Sequence, residues 1–232
     1  MAPQPRAIST HHLVLLFTVF AVGTAQAATT NTAAPAPSSA ESCTTESSAA
    51  ACFLRSRCAT TLYPALCYDS LLPYASEFHT SYARLARVAA DVAAAHLRAV
   101  SARVKDILRH GPDSAEVSGG RPSETAALRD CASMISAAAN LARQSSAELS
   151  RLDASHMTTA AGDGGSSRQA RWEVSNAKTW LSAAITNEGT CANGLEEAGA
   201  TASPAGKEVT AGVISVRQYT SNAIAHVNGI PL

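Results

Sequence analysis

The 232-residue chain has few aromatic residues and no excess of charge of either sign. Phe, Trp and Tyr make up 5% of it, and 18 Lys and Arg balance 18 Asp and Glu. A protein that neutralises a phosphate backbone needs a basic excess, and one that stacks on bases needs aromatic side chains. The composition therefore argues against nucleic acid as a partner.

Long apolar runs are also scarce, and the clearest one is short and amino-terminal. It covers residues 13–22, follows Arg6 and precedes Ala-Gln-Ala at 25–27, a pattern typical of a cleaved signal peptide. A membrane-spanning helix needs roughly twenty apolar residues. We therefore predict a signal peptide over residues 1–27, a secreted protein and no membrane partner after cleavage.

Residues 28–42, rich in Ala, Pro and Ser, predict a disordered tether.

The chain also lacks the short motifs of common enzyme classes. It contains no G-x-S-x-G elbow, no G-x-x-x-x-G-K-S/T loop and no H-E-x-x-H pair. No two cysteines have the C-x2-C spacing of a zinc knuckle, and the histidines are scattered. We therefore predict a protein that is not an enzyme, with no catalytic residue, no metal site and no cofactor.

Apolar residues recur at steps of three and four along most of the remaining chain, which is the period of an amphipathic helix. Breaks rich in Gly and Pro divide the pattern into four predicted helices, over about 76–110, 123–153, 168–188 and 205–227. In the second helix the predicted inward positions are Leu128, Cys131, Ile135, Ala138, Ala142, Ser145, Leu149 and Leu152. Trp172 and Trp180 of the third are predicted to lie in the core. Four helices with short connections predict an all-α fold, an up-and-down four-helix bundle over residues 76–232.

Six cysteines in a secreted chain predict a disulfide framework. A Tyr-Pro turn at 63–64 separates Cys58 from Cys67 and can fold two short helical pieces back on each other. We therefore predict a Cys58–Cys67 bridge that staples an amino-terminal helical hairpin over residues 43–75.

The other four cysteines suggest two further bridges. A bridge between Cys131 and Cys191 would join the second and third bundle helices. Cys43 and Cys52 repeat the spacing of the hairpin pair, which favours a third local bridge. Free or intermolecular thiols are the alternative for that last pair.

Three motifs together resemble a known family. They are Arg57-Cys58-x4-Tyr63-Pro64-x2-Cys67, Ala126-Ala-Leu-Arg-Asp-Cys131 and Trp180-Leu-Ser-Ala-Ala-Ile-Thr-Asn-Glu-Gly-Thr-Cys191. Over about residues 52–229 the chain resembles the plant invertase and pectin methylesterase inhibitor domain. The resemblance implies that residues 43–232 are one inhibitor domain of the cell wall space, the apoplast. It also implies a 1:1 complex in which the bundle covers the pectin-binding cleft of a pectin methylesterase and limits pectin de-esterification.

The resemblance also indicates which residues would bind the partner. They lie on the second and third bundle helices, at Ser133, Ala137, Asn140, Thr190 and Asn193. The best-described inhibitor of the family carries acidic side chains in this region, and only Thr190 matches it by identity.

Two other functions remain open at this stage. The first is inhibition of cell wall or vacuolar invertase, although the Pro-Lys-Phe tripeptide associated with that branch is absent. The second is a helical bundle that carries an apolar ligand or serves a structural role in the wall. Inhibition of pectin methylesterase is the function that the sequence favours.

Overall fold

The computed structural model describes residues 45–110, 121–158 and 164–232. These residues all belong to one compact unit. The predicted signal peptide, the predicted tether and Cys43 lie outside the described residues. None of the described helices combines the length and the apolar character that crossing a membrane requires.

The chain first forms a helical hairpin of α1 (Glu46–Cys58) and α2 (Pro64–Leu71). Thr45 and Ser48 make a reciprocal capping box at the start of α1, which satisfies backbone N–H groups that the first turn leaves free. The backbone N–H at the first position of an α-helix has no partner within the helix. Proline lacks this N–H, so Pro64 suits the first position of α2.

The predicted Cys58–Cys67 disulfide constrains this hairpin. Cys58 and Cys67 are bonded, and their Cα atoms lie 5.5 Å apart. Cys52 is also disulfide-bonded. Its predicted partner, Cys43, lies outside the described residues.

The segment between the hairpin and the bundle is helical but broken. A 3-10 turn (Leu72–Tyr74) leads into the short helix α3 (Ala75–Phe78). The helix ends where His79 adopts a φ of 48°, a conformation that continues no right-handed helix. Because of this break, the first bundle helix begins at Tyr82 and not at about residue 76 as the periodicity predicted.

Four long helices then form the bundle. They are α4 (Tyr82–His110), α5 (Pro122–Thr158), α6 (Gly164–Glu197) and α7 (Pro204–Asn228). Each packs on the next, and α7 packs back on α4. Neighbours run antiparallel: Arg84 near the start of α4 binds Asp153 near the end of α5 at 2.9 Å. The predicted all-α, up-and-down four-helix bundle with a disulfide-stapled hairpin is confirmed.

The inward faces follow the predicted period closely, with one error. All eight inward positions predicted for α5 are buried. The prediction that both tryptophans of α6 lie in the core is wrong, because Trp172 is 64% exposed and Trp180 is only half-buried. The buried stripe of α6 contains Val174, and Trp172 lies about 200° around the helix from it. The stripe also continues past residue 188 through Leu195, so α6 is longer than predicted.

The start of α7 depends on a close backbone approach. Ser203 caps the helix, because its Oγ accepts a hydrogen bond from the Gly206 N–H at 3.0 Å. A Cβ on Gly206 would lie 1.9 Å from the carbonyl oxygen of Ala200. A backbone oxygen cannot turn aside as a flexible side chain can, so glycine is required here.

Gly206→Ala is expected to lower the free energy of unfolding by roughly 1–3 kcal/mol, because overpacking forces a backbone shift. Gly194→Ala is the matched control: a Cβ there meets nothing within 4 Å. Alanine stabilises an open helical position by roughly 0.5–1 kcal/mol relative to glycine. Urea unfolding should therefore give changes of opposite sign, and a Gly206→Ala protein as stable as the wild type would contradict the prediction.

Candidate partner-binding surface

The bridge between α5 and α6 joins the two helices that carry the predicted contact residues. Cys131 and Cys191 are bonded, and their Cα atoms lie 4.4 Å apart, which confirms the predicted pair. At these two positions the helix backbones approach closely. Packing and the covalent bond together hold this end of α5 and α6 in one arrangement.

The three predicted contact residues of α5 form one exposed stripe. Ser133, Ala137 and Asn140 follow at steps of four and three, and each is exposed. Ser133 lies about 200° around the helix from Cys131, so the stripe faces away from the bridge. Its residues line the border between α5 and α4.

The two predicted contact residues of α6 are exposed on the helix next to α5. Thr190 and Asn193 are both exposed, but neither lines the α4–α5 border. The Thr190 hydroxyl donates a hydrogen bond to the Thr186 carbonyl oxygen at 2.9 Å. Its oxygen can still accept a hydrogen bond from a partner. The structure therefore brings the α5 residues together along the α4–α5 border, and the α6 residues do not line that border.

A groove that sequence analysis missed runs along the α4–α5 border. It consists of two adjoining cavities of about 280 and 550 Å³, which share Lys105, Ser136 and Asn140. We call it the basic groove, because its charged lining residues are Arg98, Lys105, Arg109 and Arg129. No carboxylate is among the described residues that line it. Part of the basic groove could have been predicted from the sequence, since residues 98, 105 and 109 fall on one side of a helix.

A second feature that the sequence analysis missed is a carboxyl group buried between α6 and α7. Glu188 is fully buried, and its Oε1 accepts a hydrogen bond of 2.7 Å from the Thr220 hydroxyl. Its Oε2 has no hydrogen-bond partner among the described residues. Burial raises the pKa of Glu188 to about 7, although the Thr220 hydrogen bond and the charge of Arg217 act in the opposite direction.

A buried histidine joins the hairpin to the bundle. His226, near the end of α7, places its Nε2 3.2 Å from the Sγ of Cys67. Burial, with a smaller effect of the Arg57 charge, lowers the pKa of His226 to about 4. His226, Cys58 and Cys67 have their donor atoms within 4.8 Å of one another. Because the two sulfurs form a disulfide, they do not offer the thiolates that a metal ion binds.

Comparison with known proteins gives the family. The model of a protein family described as "Plant invertase/pectin methylesterase inhibitor" matches residues 53–225. The chain belongs to this family. Its fold and its two described bridges are those expected for the inhibitor domain from the sequence motifs.

Curated relatives support the same assignment. This chain is 32% identical over 172 residues to Pectinesterase inhibitor 9 of Arabidopsis thaliana. The aligned residues cover 74% of this chain and 76% of the relative. The chain is 32% identical over 171 residues to Pectinesterase inhibitor 3 of the same plant, with coverage of 74% and 75%. A 21 kDa protein of Daucus carota is 30% identical over 171 residues, with coverage of 74% and 79%. No solved structure matches the chain significantly.

Proposed function

We propose that this protein inhibits a pectin methylesterase of the plant cell wall by covering the cleft where the enzyme binds pectin. The observation that carries the proposal is its similarity, over about three quarters of each chain, to proteins named pectinesterase inhibitors. The inhibitor is secreted to the apoplast, forms a 1:1 complex and limits pectin de-esterification. It performs no catalysis of its own.

The bundle has the physical properties that such an inhibitor needs. A preorganised surface loses little conformational freedom on binding, and here a disulfide and four packed helices fix the surface in advance. In this proposal the α5 stripe of Ser133, Ala137 and Asn140 contacts the enzyme. Thr190 and Asn193 of α6 add polar contacts beside it. Inhibition by steric cover requires complementarity over an area and no nucleophile.

Parallel inhibition assays test which enzyme is the target. The oxidised secreted form, residues 28–232, is titrated into a plant pectin methylesterase and into an acid invertase at about pH 5 and about pH 7. We expect a dose-dependent loss of esterase activity with invertase unchanged. Inhibition of invertase alone would overturn the proposal in favour of the other activity in the family's description. If the protein inhibited neither enzyme, the proposal would also be overturned, and a carrier or structural role would be favoured.

A single substitution tests the α5 stripe. Ala137→Arg places a long charged side chain at its centre and is expected to raise the half-inhibitory concentration at least tenfold, or about 1.4 kcal/mol. Ala211→Arg is the matched control, since Ala211 is an exposed alanine on α7, across the bundle from α5. Both substitutions are on exposed helix surface, so the stability should change by roughly 0.5 kcal/mol or less. Equal inhibition by the two variants would exclude the α5 stripe from the interface.

A further inference from the structure

The cations of the basic groove make no ion pair within the part of the chain that the structure describes. Arg98, Lys105, Arg109 and Arg129 make no ion pair with a described residue, whereas the neighbouring Arg103 binds both Asp106 and Glu208. The formal net charge of the chain is zero, so this concentration of positive charge reflects placement and not composition. Like charges held together with no carboxylate among the described lining residues create a local field that attracts anions.

The spacing of the cations indicates the shape of the ligand. Lys105 lies seven residues after Arg98 and four before Arg109, which corresponds to about 10 Å and about 6 Å along α4. Arg129 adds a charge from the α5 side. A single phosphate or carboxylate could contact only part of such a row. The groove therefore fits an anion whose charges repeat along a line.

The surface between the cations suits sugar rings. Small side chains line it, among them Ala102, Ala139 and Ala137, so a broad, flat ligand can approach the helices closely. Hydroxyls of Ser133 and Ser136 offer donors and acceptors that match sugar hydroxyls. The combined cavities, about 280 and 550 Å³, are large enough for several rings.

We propose that the basic groove binds a linear oligouronate, a chain of sugars with free carboxylates. The choice of uronates among linear anions rests on the proposed function, because removal of methyl esters from pectin leaves this chemical group. Each carboxylate pairs with a groove cation, and the serine hydroxyls bind the sugar hydroxyls. The protein thus recognises the de-esterified polymer and the enzyme that makes it in alternation, because Ser133, Ala137 and Asn140 belong to both surfaces.

Direct binding of defined oligosaccharides tests the proposal without any enzyme. Calorimetry at about pH 6 and low salt compares a de-esterified oligogalacturonate with a methyl-esterified one of the same length. We expect the de-esterified oligomer to bind at least tenfold more tightly. Raising the salt from about 50 to about 200 mM should weaken this binding severalfold, because exposed charges are screened.

Two triple variants locate the site while changing the net charge equally. The groove variant combines Arg98→Gln, Lys105→Gln and Arg109→Gln. The control variant combines Arg168→Gln, Arg171→Gln and Lys207→Gln, which removes exposed cations from α6 and α7. We expect at least a tenfold loss of oligouronate affinity in the groove variant and less than a twofold loss in the control. Matching thermal unfolding of both variants verifies that they fold.

Several outcomes would overturn the proposal. Equal binding of the esterified oligomer would show that carboxylates are not recognised, and equal losses in the two variants would place the site elsewhere. Equal or tighter binding of dextran sulfate would indicate a general polyanion effect. Tighter binding of poly-glutamate would indicate an acidic protein segment as the ligand. Since no enzyme is present, a chain that binds oligouronate but inhibits no esterase would retain this inference and lose the proposed function.

Discussion

Replacing both Cys131 and Cys191 with alanine is expected to lower the free energy of unfolding by about 4 kcal/mol. The bridge joins α5 to α6 across a sequence separation of 60 residues, and opening it frees that loop in the unfolded chain. Domains of this kind are stabilised by roughly 5–15 kcal/mol, so the loss is a large fraction of the total. Alanine is frequent on the buried faces and buries little area per residue, which makes the bridge more important.

The matched control is the Cys58→Ala, Cys67→Ala variant. Its bridge spans a separation of only 9 residues, so the same chain-entropy argument gives a loss of about 3 kcal/mol. Urea unfolding of the wild type and both variants, at one pH, measures the two losses. A loss of less than roughly 1 kcal/mol on removing Cys131 and Cys191 would show that native strain cancels the entropic benefit.

Glu188→Gln is expected to change the pH dependence of stability. The pKa of Glu188 is raised from its ordinary value of 4.5 to about 7. Between these values the folded state holds a proton that the unfolded state has lost, so the wild type loses stability as the pH rises through this window. Glutamine does not titrate, so the variant does not show this loss. As the pH rises from about 4 to about 7.5, its free energy of unfolding should therefore increase by roughly 3 kcal/mol relative to the wild type.

His226 produces the opposite trend. Its pKa is lowered from 6.5 to about 4, so the unfolded state binds a proton more readily and the folded state loses stability as the pH falls through this window. Between about pH 4.5 and about pH 6.5 the two effects oppose each other, so their sum in the wild type should be nearly flat. Glu188→Gln removes the effect of Glu188 and leaves that of His226, so the free energy of unfolding of the variant should rise with pH in this range.

Urea unfolding at several pH values between about pH 4 and about pH 7.5 measures these profiles. Glu196→Gln is the matched control, because it removes an exposed carboxyl from the same helix. If Glu196→Gln altered the profile as much as Glu188→Gln, burial of Glu188 would not be the cause. If the free energy of unfolding of the wild type fell by several kcal/mol as the pH rose from about 4.5 to about 6.5, the prediction that His226 offsets the effect of Glu188 would be contradicted.

The bundle itself could be predicted because its signals are local. The steps of three and four from Leu128 to Leu152 place those residues on one side of any α-helix, and all eight are buried. The two described disulfides also agree with prediction, because the turn and the helix order bring those cysteines together. The roles of Gly206 and His79 could not be predicted, since they depend on atoms of other segments or on an unusual φ.

The functional features were harder to predict because they combine distant parts of the chain. The basic groove needs Arg98 and Arg129 on two helices that pack together, and a sequence gives no register between them. The burial of Glu188 depends on α7, where Thr220 provides its hydrogen bond. The residue type of Trp172 favours the core, but its position about 200° around the helix from Val174 places it outside.

Calorimetric titration of a purified plant pectin methylesterase with the oxidised chain tests most directly whether the bundle covers the active cleft. The esterase activity of the same samples is measured along the titration. We predict saturation at one chain per enzyme, with activity lost in parallel with the heat of binding. Absence of binding, or a saturated complex that still de-esterifies pectin, would contradict inhibition by occlusion.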